Sequence, residues 1–155
     1  MKKRYIIHVI TPLIIGGGLY ILFRDNNLKM FNWFSQMGIA GLVESLRFFT
    51  LGLKSHFPPW LYYSLPDALW TYSLTVFMIL NFKRRLDYNS FFWISLGPFI
   101  SIGMELSQAI GLLEGTFDIT DLILCIIASI LSLFHISSFR HNNFYKHEQK
   151  NYIIN

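Results

Sequence analysis

Five acid or amide side chains fall at spacings that bring them together if the segments carrying them are helices: Asp67, Glu105, Gln108, Asp118 and Asp121. Glu105 stands out. The run from Phe91 to Leu113 reads FFWISLGPFISIGMELSQAIGLL, and Glu105 and Gln108 are its only strongly polar residues. An acid inside such a run costs at least ~2.5 kcal/mol on insertion scales, which makes it a candidate functional residue by default. Gln108 is i+3 from Glu105 and shares its helix face. Asp118 and Asp121 are again i,i+3, at the head of the next apolar segment, and Asp67 stands one turn into an earlier one. A desolvated carboxylate beside a second carboxylate is general acid–base machinery. Carboxylates with an amide also make a hydrogen-bonding pocket for a headgroup. Paired carboxylates suit a divalent cation too, but the spacing fixes no ligand count, so no metal or cofactor is expected.

Each residue also has a structural reading. Ser64-Leu65-Pro66-Asp67 matches a capping box, with serine at N-cap and an acid at N3. Asp118 suits the N-cap of the last helix with Asp121 at N3, where acids favour the positive helix end. Gln108 suits an interhelical bridge, worth about 0.6 kcal/mol on average in measured bundles. Glu105, in mid-helix, has no capping role, and its structural alternative is a protonated acid bonded to a neighbouring helix. Ser73, Ser101 and Ser107 lack a histidine at matching depth and are poor candidate nucleophiles. His8 and His135 fall toward the opposite side from the acids, which predicts packed or interfacial rings and no metal centre shared with the carboxylates. Gly16-Gly17-Gly18 predicts close helix approach or a kink, and Gly97-Pro98 a kink that frees a carbonyl beneath Glu105.

The elements that carry these residues are apolar helices. Hydrophobic residues make up 53% of the 155-residue chain and charged ones 14%, against about 25% charged in soluble domains. Mean hydropathy is +0.41. The expected fold is an all-α membrane protein, a bundle of about four transmembrane helices plus one interfacial or re-entrant amphipathic helix. The spans are expected near 5–23, 65–82, 91–113 and 119–136. With a rise of 1.5 Å per residue, Glu105 then lies roughly 12 Å inside the outer end of the third span. Residues 28–56 carry Lys29, Asn32, Gln36, Glu44, Arg47 and Lys54 at near-helical spacing, a polar stripe suited to an interfacial helix. The rival reading is a fifth span with Glu44 and Arg47 paired. FPPWLYY (57–63) follows, where the prolines stop a helix and Trp60, Tyr62 and Tyr63 suit a headgroup belt.

Charge sets the expected orientation. Lys2, Lys3, Arg4, Lys83, Arg84, Arg85, Arg140, Lys146 and Lys150 lie on one side of a four-span bundle, and only Arg24, Lys29, Arg47 and Lys54 lie on the other. The positive-inside rule then places both termini in the cytoplasm and the acids in the outer leaflet. Residues 1–136 make one transmembrane helical domain, and 137–155 a cytoplasmic tail. Basic residues flank the spans and form no stripe, so nucleic acid is not an expected partner. MKKR would suit a signal-peptide n-region, but no small-x-small cleavage site precedes the polar turn at 24–27, which favours an uncleaved anchor. Cys125 is the only cysteine, which excludes a disulfide within the chain.

Glu105-Leu106-Ser107-Gln108, a short turn and Asp121 opening a last span resemble the VanZ-like membrane proteins. The ExxQ motif matches, and Asp67 corresponds to an aspartate near the start of that family's preceding span. The resemblance covers roughly 65–132. It departs where the family has asparagine and two glycines after the final aspartate, positions held here by Cys125, Ala128 and Ser132. The family's basic turn residue is also absent from Gly115-Thr116-Phe117-Asp118, and its Lys and His after the first aspartate are replaced near Ala68 and Tyr72. The resemblance implies a bacterial cell-membrane protein of the envelope, acting on lipid-linked or amphiphilic compounds and linked to glycopeptide susceptibility.

Three functions follow as expectations. One is a binding protein whose outer-leaflet site takes a membrane lipid or lipid-linked amphiphile, with Gln108, Asp118 and Asp121 as hydrogen-bonding groups and Glu105 as a desolvated acid. Another is a membrane enzyme on a lipid-linked substrate, with Glu105 as acid or base and Asp121 or Asp67 as partner. The third is a structural or assembly protein whose acids hold helices together.

Overall fold

The computed structural model describes residues 2–25, 28–82 and 88–135. The basic cluster 83–85 and the expected tail 137–155 lie outside the described residues. Every regular element among the described residues is a helix, in keeping with the expected all-α class. Helix α1 runs Lys3–Phe23, α2 Lys29–Gln36, α3 Ala40–Lys54 and α4 Pro59–Tyr63. Then come α5, Leu65–Phe82, α6, Tyr88–Ala109, and α7, Ile119–His135. Among the described residues, α1 alone is long and apolar enough to cross a membrane by length and composition, and α7 is apolar but shorter. The four expected spans are therefore matched by one helix of spanning character near the N-terminus. The reason is local. α5 and α6 carry many Ser, Thr, Asn and Gln residues besides Asp67 and Glu105, which dilute their hydropathy.

α5 is the hub, with α1, α4 and α6 packed on it. α1 runs antiparallel to it. Tyr5 Oη donates to Asn81 Oδ1 at 3.0 Å, Gly16 faces Pro66 and Trp70, and Phe23 stacks on Tyr62 at 5.9 Å. Gly97 allows the tightest approach between α5 and α6: a Cβ there would overlap Thr75 Oγ1 and crowd the Thr75 amide. The chain stays helical through Pro98, so Gly97-Pro98 acts as a packing surface within a continuous helix.

The interior mixes apolar and polar side chains: Val9, Val76 and Leu80 form a hydrophobic cluster, and hydroxyls share the buried positions with them. Buried side chains include Ser64, Thr71, Ser73, Thr75, Ser90, Glu105, Ser129 and Ser132, whereas Ile6, Ile14, Phe91, Phe99, Ile123 and Ile130 are exposed. Most buried hydroxyls are bonded locally: Thr71 and Thr75 Oγ1 donate to the carbonyls four residues back at 2.7 Å. Burial of small and hydroxyl side chains with large apolar ones facing out is how helices associate without a hydrophobic drive.

Glycines end two helices earlier than expected. At the end of α6, Gly111 takes φ +71°, Gly111 N–H donates to Gln108 O and Leu112 N–H to Ser107 O. This is a Schellman motif, which satisfies the last carbonyls and needs a left-handed residue at its centre. The third apolar helix therefore stops at Ala109, short of the expected Leu113. Gly38, at φ +74°, repeats the motif, with Gly38 N–H donating to Ser35 O and Ile39 N–H to Phe34 O. The single helix expected over 28–56 is thereby split into α2 and α3.

Arg47 is not paired with Glu44. Its guanidinium donates to Ile21 O at 2.5 Å and Arg24 O at 2.6 Å, and Thr50 Oγ1 donates to Leu22 O at 3.2 Å. α3 thus caps the exposed carbonyls of α1, where a cation also suits the negative helix end. In the FPPWLYY segment, Pro59 starts a short helix instead of only stopping one. Trp60 is exposed there, but Tyr62 is buried.

Candidate functional site

Three helix ends meet at the acids. Asp67 lies in the first turn of α5, Glu105 lies one turn before the end of α6, and Asp121 lies in the first turn of α7. The early stop of α6 places Glu105 about 6 Å from its helix end, nearer than the 12 Å expected. Glu105 is 7% exposed. It accepts a hydrogen bond from the Asp118 backbone N–H and lies within electrostatic reach of Asp121, Asp67 and Asp118. Asp67 in turn senses Asp121 and Arg24. Glu105 Oε2 and Asp121 Oδ1 are both buried without a protein partner.

Asp118 acts as the expected N-cap, with its Oδ1 accepting from Thr120 N–H at 2.8 Å. The box expected at Ser64 does not form. Ser64 N–H already donates to Trp60 O in the preceding helix, so the amide that an N3 acid would bind is occupied. Ser64 Oγ is buried and unpartnered. Asp67 is thus released from that structural role. The Gln108 amide packs on Gly115, where a Cβ would come within 2.9 Å of it.

Beside the acids, Arg24 Cζ lies 5.2 Å from the ring centres of both Tyr20 and Tyr63, within cation–π range. One turn below, Thr71 Oγ1 lies 2.5 Å from Ser101 Oγ and 3.7 Å from Cys125 Sγ. Cys125, Ala128 and Ser132 are all buried, so their small side chains sit at helix contacts. The site can hold a group that donates hydrogen bonds or carries positive charge, since three acids face one another with Arg24 the nearby cation.

Sequence reasoning missed a second cluster. His8, Tyr72 and His135, from α1, α5 and α7, are hydrogen-bonded together. Their spacing in the chain gives no hint of it, because the register between separate helices is not written in local pattern. No protein-family model, curated protein or solved structure matches this chain.

Proposed function

We propose that this chain is a multi-pass protein of a bacterial cell membrane, of VanZ-like kind, whose carboxylate site binds the headgroup of a lipid or lipid-linked amphiphile. In this reading α1, α5, α6 and α7 cross the bilayer, α2 and α3 lie in the interface, and the acids sit in the outer leaflet with both termini cytoplasmic. The many large apolar side chains left exposed, such as Ile14, Phe91, Phe99 and Ile130, support it. Exposed Ile, Leu and Phe suit acyl chains, and an intramembrane acid faces the bundle interior.

The observation that carries the reading is the pair of buried, unpartnered oxygens, Glu105 Oε2 and Asp121 Oδ1. Leaving such an atom unsatisfied costs about 1–3 kcal/mol, and more when charged. A purely structural acid would spend both oxygens on neighbouring helices. A headgroup carrying an amine or hydroxyl supplies the missing donors.

The test is Glu105→Gln, which keeps shape and removes the acid. Cells carrying the wild-type chain are expected to differ in susceptibility to a lipophilic glycopeptide from cells lacking it, and Glu105→Gln at equal expression is expected to abolish the difference. An unchanged phenotype would refute the site. Loss of the folded protein would favour the assembly role.

A further inference from the structure

We infer that His8, Tyr72 and His135 form a binding site for a first-row transition-metal ion of the Zn2+ class, separate from the carboxylates. His8 Nδ1 lies 3.0 Å and His135 Nε2 2.8 Å from Tyr72 Oη. The two imidazole ring centres are 4.4 Å apart. Donor atoms around a tetrahedral ion with bonds of 2.0–2.1 Å stand about 3.3 Å from one another. Each imidazole nitrogen therefore already sits near that spacing from the phenol oxygen, and the two rings lie side by side.

Local structure holds each donor. Pro12 has no N–H to give the carbonyl four residues back, that of His8. The preceding turn widens to a π-helix over Ile6–Ile10, a feature frequent at functional sites. One residue along each helix, Ser73 Oγ donates to Val9 O at 2.7 Å and pins α1 to α5.

Hydrogen-bond bookkeeping leaves room for an ion. The phenol has one proton, so it donates to one imidazole and must accept from the other. Metal binding replaces both bonds: each imidazole presents a lone pair and keeps its proton on the far nitrogen, and the phenol oxygen offers a lone pair. Among the described residues no third imidazole, thiol or carboxylate joins them, so the fourth position falls to water. Imidazole donors suit Zn2+, Cu2+ and Ni2+, whereas Mg2+ and Ca2+ prefer all-oxygen sites. All three side chains are only partly buried.

The experiment uses the untagged full-length protein, metal-stripped in detergent. Zn2+ is titrated against a chromophoric chelator, and Co2+ binding is followed by visible absorption. One ion per chain is expected, with affinity at least tenfold weaker in His8→Gln or His135→Gln. Replacing His56, His141 and His147 together is expected to leave affinity unchanged. Absence of binding, or binding that survives both glutamine substitutions, would overturn the assignment. Should either fail to fold, Tyr72→Phe decides: a shifted Co2+ spectrum supports the site, and an unshifted one overturns it.

Discussion

Replacing Gly97 by alanine should be among the most damaging single-methyl changes in this protein. The added Cβ would overlap Thr75 Oγ1, and it would lie 3.3 Å from Thr75 N and 3.4 Å from Thr71 O. The two backbone atoms are near ordinary contact distance, and the severe overlap is with the Thr75 hydroxyl, which is fully buried and donates to Thr71 O. Either that hydroxyl turns away and loses its bond, or α5 and α6 separate. Overpacking of this kind typically costs 1–3 kcal/mol, while Gly→Ala inside an open helix gains roughly 0.5–1 kcal/mol. Gly103, on the same helix with nothing within 4 Å of a Cβ, is the matched control. Gly97→Ala should therefore be less stable than Gly103→Ala by about 1.5–4 kcal/mol. Thermal unfolding of the purified protein in detergent, followed by far-ultraviolet circular dichroism, measures the difference. Adding Thr75→Ala should relieve part of the cost, so the double variant is less destabilised than the sum of the singles. Equal stability of the two glycine variants would refute the close approach of α5 and α6, and with it the positioning of Glu105 beside Asp67.

Other substitutions test neighbouring parts of the fold by the same unfolding assay. Arg47→Ala removes both donors from the Ile21 and Arg24 carbonyls and should cost about 1.5–3 kcal/mol. Arg47→Lys, unable to span both acceptors as a fork, should recover only part of this. Gly111→Ala forces a side chain into the left-handed region and should cost about 1 kcal/mol. Asp118→Ala should cost about 1 kcal/mol and Asp118→Asn little, since asparagine caps as well as aspartate.

The helical class and the N-cap at Asp118 were legible in sequence because they depend on local pattern. The convergence of Asp67, Glu105 and Asp121 followed from helix arithmetic: an acid near the end of one helix meets acids near the starts of others when successive helices run antiparallel. The helix ends at Gly38 and Gly111 carried a signal, glycine after an apolar helical run, that was outweighed by continuing hydrophobicity. The failed cap at Ser64 depends on α4, a short helix whose last carbonyls reach the amide first. Arg47 on α1, and Tyr72 between His8 and His135, depend on how distant helices dock. One turn of register decides those contacts, and nothing in the local sequence sets it.

The proposed headgroup site requires the carboxylate end of the bundle to face outward across a membrane. In a Cys125→Ser background, single cysteines at Glu114, in the exposed turn between α6 and α7, and at Lys3, at the far end of α1, can be probed in intact cells with a membrane-impermeant maleimide. The cysteine at 114 should label from outside and the cysteine at 3 only after permeabilisation. Labelling at 3 with protection at 114, or labelling of both from outside, would contradict the account.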